Sequence, residues 1–239
     1  MPLPKIATPT YELELPSTGK NIKYRPFLVK EEKLLVLALE SENTKEITTA
    51  IKNVIKACIL SRGVKVETLP TFDIEYLFLN IRGKSVGEEI EVNIVCPDDG
   101  ETYVPVKINI DEIGVEKSEK HTNKIKVDDS LTMEMKYPSL DQFIKSNFDF
   151  SEDAGMDQSF DLVASCIEKI FNSEEAWTSA DCTKKELIDF LEQMNSSQFK
   201  EIEKFFETMP KLSHEIEVVN PKTEVKSTVV LEGLSSFFA

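Results

Sequence analysis

Apolar positions along the chain change their period several times, and each change marks an element. YELEL alternates apolar and polar residues, the segment from Pro16 to Gly19 turns, and NIKY returns, so residues 10–25 predict strand, turn, strand. VKEEKLLVLALES then begins a helix. A second helix carries Ile47, Ala50, Ile51, Val54, Ile55, Cys58 and Ile59 at i, i+3, i+4, i+7, i+8, an amphipathic stripe. After Pro70, FDIEYLFLNIRG predicts a third, strongly apolar helix. EIEVNIV and TYVPVKINI form a hairpin around the turn that runs from Cys96 to Gly100.

Residues 114–124, GVEKSEKHTNK, are polar and punctuated and are taken as a linker. Beyond it the plan repeats. IKVDDSLTMEMKY is again strand, turn, strand, ending in Tyr137 and Pro138. Ser139 with Gln142, and Thr183 with Glu186, each fit a capping box at the start of a helix. Phe160, Val163, Ala164, Ile167, Ile170 and Phe171 mark one helix, and Phe199, Ile202, Phe205, Phe206 and Met209 stripe another that Pro210 stops. EIEVVNPKTEVKSTVVL closes the chain as a hairpin. IEYLFLNIRGKSVGEEIEV from Ile74 aligns with IEKFFETMPKLSHEIEV from Ile202. The expectation is an α+β fold of two similar halves, residues 1–115 and 116–239, related by internal duplication, each with amphipathic helices between an opening and a closing β-hairpin.

Charge and chemistry narrow the function classes. Lys and Arg number 28 against 43 Asp and Glu, a net charge of −15 that repels nucleic acid and anionic membranes. The N-terminus has no apolar h-region, and no apolar run approaches the roughly 18 residues that span a bilayer. Cys58, Cys96, Cys166 and Cys182 form no C-x-x-C pair, which favours reduced thiols. The turn after Cys96 has Asp at position 99 where a zinc knuckle would place a second thiolate, and its counterpart, Asn220 to Thr223, has no cysteine. Both are read as turns, without bound metal. Gly83, Lys84 and Ser85 resemble the end of a P-loop, but Phe occupies position 78 where that motif needs glycine. Asp73, Glu75 and Glu203 are carboxylates in apolar surroundings and are read as helix charges rather than catalytic acids. No cofactor and no enzymatic activity are expected.

The runs YRPFLVKEEKLL, PTFDIEYLFLNIRGKSVGE and KKELIDFLEQMNSSQFKEIEKFFETMP, with the ending LEGLSSFF, resemble the baseplate hub assembly proteins of T-even-type contractile-tailed phages over essentially the full length. The resemblance implies a non-enzymatic tail morphogenesis factor, chaperone or hub component, that binds phage baseplate hub proteins in the host cytoplasm and stays with the virion tail in the second case. A permanent structural baseplate subunit and a cell-wall hydrolase of the hub are the alternatives. Copy number in purified tails separates the first two, and peptidoglycan turnover tests the third. The partner surface is expected at two aromatic clusters: Tyr24, Arg25, Pro26 and Phe27, where a strand ends, and Phe237 and Phe238, at the chain end.

Overall fold

The structure, a computed structural model, describes residues 6–145 and 156–237. Strands β1 (Tyr11–Glu14) and β2 (Asn21–Tyr24) pair antiparallel with Tyr11 opposite Tyr24. Helices α1 (Val29–Glu40) and α2 (Thr44–Cys58) follow, α2 capped by the Asn43 side chain, which accepts the N–H groups of Lys45 and Glu46. α3 (Thr71–Val86) starts after Pro70, and β3 (Glu89–Val95) and β4 (Tyr103–Asn109) form the expected hairpin. β5 (Gly114–Glu116) is a short strand inside the segment taken as a linker. Then come β6 (Lys124–Lys126), β7 (Thr132–Met135), α4 (Leu140–Lys145), α5 (Met156–Cys166), β8 (Ile167–Phe171), β9 (Ala176–Thr178), α6 (Lys184–Leu191), α7 (Ser196–Thr208), β10 (Lys211–Val219) and β11 (Lys226–Glu232). A short 3-10 turn, Leu234–Phe237, ends the described chain. The class is α+β, with all sheets antiparallel.

The chain divides into two compact units, residues 1–116 with 211–239, and residues 117–210. This differs from the expected halves of 1–115 and 116–239, because the closing hairpin joins the first unit. The reason is pairing: Lys211, Leu212 and Ser213 of β10 take Glu116, Val115 and Gly114 of β5 as neighbours. Residues 74–95 and 202–219 do both run helix, then strand. The parallel stops there, since α3 and β3 share a unit whereas α7 and β10 do not.

In the first unit, β3 buries Ile90, Val92 and Ile94 and exposes Glu89, Glu91 and Asn93. That is the period-2 pattern of a sheet with one wet face. β10 does the same with Ile216 and Val218 against Glu215 and Glu217. The two hairpins share one core with Leu79 of α3 and Phe237.

The second unit is a four-stranded sheet in the order β6-β7-β8-β9 with helices around it. Its core collects Met133, Met135, Val163, Cys166, Ile167, Leu191, Ile202 and Phe205. Here the helix expected through Phe171 is corrected: α5 stops at Cys166, and residues 167–171 are β8. Ile167 and Ile170 satisfy a helical spacing, but they are β-branched and pair between β7 and β9. The Asn172 side chain accepts the N–H groups of Glu174 and Glu175 and turns the chain into β9.

Candidate protein–protein interface

Of the residues expected at the partner surface, the structure places those it describes inside the first unit. Tyr24, Pro26 and Phe27 are buried, as is Phe237, which packs in the core shared by the two hairpins. Phe238 lies outside the described residues. The partner that Arg25 needs is within the chain. Its Nη2 donates to Glu31 Oε1 at 3.0 Å and to the Ala57 carbonyl at 2.9 Å, while Nη1 donates to the Pro26 carbonyl at 2.8 Å. Glu31 in turn accepts the Leu28 N–H at 2.8 Å. Burial pushes the Glu31 carboxyl up, and the Arg25 and Leu28 hydrogen bonds outweigh it, leaving the group below the usual carboxylate range. The YRPF segment thus fastens β2 to α1 and the end of α2.

The candidate carboxylates have structural partners. Asp73, fully buried in the first turn of α3, accepts the Ser17 N–H at 3.0 Å and the Ser17 hydroxyl, so it ties the β1-β2 turn down; burial raises its pKa. Glu75 accepts the Leu234 N–H at 3.1 Å, and burial pushes its carboxyl up to about 7. Glu203 is exposed on α7. Among the described residues no group of three or more His, Cys, Asp or Glu is placed to hold a metal ion.

The two proline turns meet. The Asn220 amide nitrogen lies 3.0 Å from both Asp98 carboxylate oxygens and 2.9 Å from Asp99 Oδ2, and the Thr223 hydroxyl donates to Asp98. Asp99 also accepts from the Thr102 hydroxyl and from the Thr102 and Glu101 N–H groups, which hold its carboxyl well below the usual range. These hydrogen bonds join the tips of the two hairpins.

What the first unit leaves open is α1. Only Glu31 and Ala38 of this helix are buried, while Val29, Leu34, Val36, Leu37 and Leu39 are 80%, 52%, 48%, 53% and 60% exposed. A cluster of exposed Leu and Val of this size marks an interaction surface. Between α1 and α2 runs a groove of about 560 Å3, lined by Leu34, Leu37, Ala38 and Ala50 with Lys45 and Glu46 among its polar residues. A smaller pocket of about 280 Å3 in the second unit is lined by Leu131, Ile170, Trp177, Leu187 and Phe190. Glu186 at that pocket is engaged in the α6 capping box with Thr183.

The α1 surface is the part that sequence reading missed. Its signal is in KLLVLALE, where the unbroken apolar run has no helical stripe. Such a run predicts either full burial or a partner.

A family model described as T4 bacteriophage base plate protein matches residues 8–239. No curated protein and no solved structure matches the chain. No helix among the described residues is long and apolar enough to cross a membrane. With nearly its whole length matched, the chain belongs to the T4 base plate protein family.

Proposed function

We propose that this phage base plate protein is a non-enzymatic assembly factor of the baseplate hub, acting by binding hub proteins through α1. The carrying observation is the exposed apolar helix in a chain of the base plate family. Ordered assembly needs subunits that recognise one another and wait for the next addition. A helix of unburied Leu and Val, flanked by a groove wide enough for side chains of a second helix, suits helix-in-groove recognition. Of the three carboxylates in apolar sequence surroundings, Asp73 is tied to Ser17, Glu75 to Leu234, and Glu203 is exposed on α7, which supports binding over hydrolysis.

Fractionation of infected cells tests the reading. The protein is expected to travel with hub subassemblies, and its copy number in finished tails distinguishes a factor that leaves from a component that stays. Peptidoglycan turnover by the isolated protein, or its absence from every hub subassembly, would contradict the proposal.

A further inference from the structure

The outward stripe of α1 is complementary to itself. Glu31, Leu35 and Ala38 face the body of the unit, Glu31 and Ala38 buried and Leu35 half-buried. At 3.6 residues per turn the opposite side then carries Val29, Lys33, Val36, Leu37 and Glu40. Apolar residues occupy the middle of this stripe, with a cation toward its N-terminal end and a carboxylate at its C-terminal end. Neither Lys33 nor Glu40 forms an ion pair with a described residue. Acidic Glu40 and Glu42 with no base in the last turn oppose the helix dipole, so this end of α1 wants a cation from outside.

We propose that α1 pairs antiparallel with α1 of a second copy of this chain, so that the free protein is a twofold dimer. Set about an axis between Val36 and Leu37, each Lys33 comes beside the partner copy's Glu40, twice per dimer, and the Val36 and Leu37 side chains close the centre. Isologous contacts of this kind are the commonest route to oligomers. The strong negative charge of the chain does not oppose it here. Residues 30–53 hold four Lys against five Glu, a net of −1 out of −15, and Glu31 is already neutralised by Arg25. Two copies therefore approach at α1 and α2 without the repulsion that the rest of the surface imposes. Val29, Val36 and Leu37 of the stripe, with Leu34 and Leu39 on its flanks, are exposed and offer on the order of 300–500 Å2 of apolar surface, which with the charged rim is at the low end against the roughly 800 Å2 per partner of a standard interface and suits a reversible dimer. The dimer covers the apolar helix until a hub protein replaces the second copy. In that respect the inference rests on the function proposed above, although its test does not.

The test is sedimentation of the full chain over a wide range of concentration. The wild type is expected to be a reversible dimer. Lys33→Glu and Glu40→Lys, both on the exposed side of the helix, should each raise the dissociation constant by about tenfold or more, and the double exchange should restore it to within a few-fold of wild type. Val36→Glu should give folded monomer that melts where wild type does when diluted below its dissociation constant. A wild type that sediments as monomer throughout overturns the proposal. So does a dimer indifferent to these changes, or a double exchange no tighter than the single variants. Failure of the two readings is distinguishable: a monomeric wild type that still travels with hub subassemblies removes only the dimer, and a dimer behaving as stated that never meets the hub removes only the function.

Discussion

Removing the Arg25 guanidinium leaves the Glu31 carboxylate, whose side chain is only 4% exposed, with the solvent-exposed Lys30 ammonium at 3.4 Å as its remaining cation. Arg25→Met is therefore expected to cost about 2–3 kcal/mol, less than the loss of a fully buried pair, because Arg25 itself reaches solvent and Lys30 stays on Glu31. Chemical denaturation checks this, and adding Glu31→Gln to the Arg25→Met variant should recover part of the loss. Phe237 makes a second residue-scale case. Its ring is 2% exposed beside Leu79, Ile90 and Ile108, so Phe237→Ala should cost about 3–4 kcal/mol, read as a fall in melting temperature. These aromatic and Arg residues look like binding residues in the sequence because their types concentrate at interfaces. The same types also fill cores, and nothing in YRPF says that Glu31 and the Ala57 carbonyl wait nearby.

At the scale of elements, two titratable side chains fasten segments with opposite pH dependence. His121, within the expected linker, hydrogen-bonds Thr208 and Tyr137 at 3.0 Å each and stacks on Tyr137. Burial, aided by Lys117, lowers its pKa below the ordinary value of 6.5. The unfolded chain thus takes up the proton first, and stability of residues 117–210 present above that pH is lost as pH falls below it. Thermal melts from neutral to mildly acidic pH should show this slope, and His121→Gln should flatten it. Glu75 has the reverse sign. Its carboxyl titrates near 7 in the fold against 4.5 when exposed, so its contribution is complete below 4.5 and fades as pH rises through about 7. Glu75→Gln should abolish that loss, seen as a flatter melting profile of the first unit between about pH 4.5 and about 7.

The helices and hairpins with a clear period were legible in the sequence: the β3-β4 and β10-β11 hairpins, the α2 stripe and the Thr183 capping box all lie where the pattern puts them. The β8 strand was not, because Ile167 and Ile170 are three apart, a helical spacing; both are buried in β8 only because the pairing with β7 shifts register between Glu134 and Met135, which no local pattern announces. Likewise no local pattern tells the linker that Gly114, Val115 and Glu116 will pair with β10.

For the whole molecule, the family was legible in long ordered runs of sequence rather than in any short motif. A charge of −15 with few glycines speaks against phosphate cradles and nucleic-acid grooves, and membership of the base plate family agrees with a chain that works by touching other proteins. The division into units escaped sequence reading because it depends on where the last 29 residues return, 211–239 joining 1–116. The exposed patch was visible in the sequence only as an excess, an apolar run with no stripe, and the fold leaves Leu34, Val36, Leu37 and Leu39 of that run exposed. The central claim is that this helix, rather than any catalytic site, performs the function. Leu34→Glu combined with Leu39→Glu, introduced into the phage and also melted as purified protein, tests it most directly. The account predicts that hub assembly is lost in infected cells while the melting temperature stays within about 2 °C of wild type, as expected for exposed positions. Normal hub assembly by this variant, with the protein folded, would contradict it.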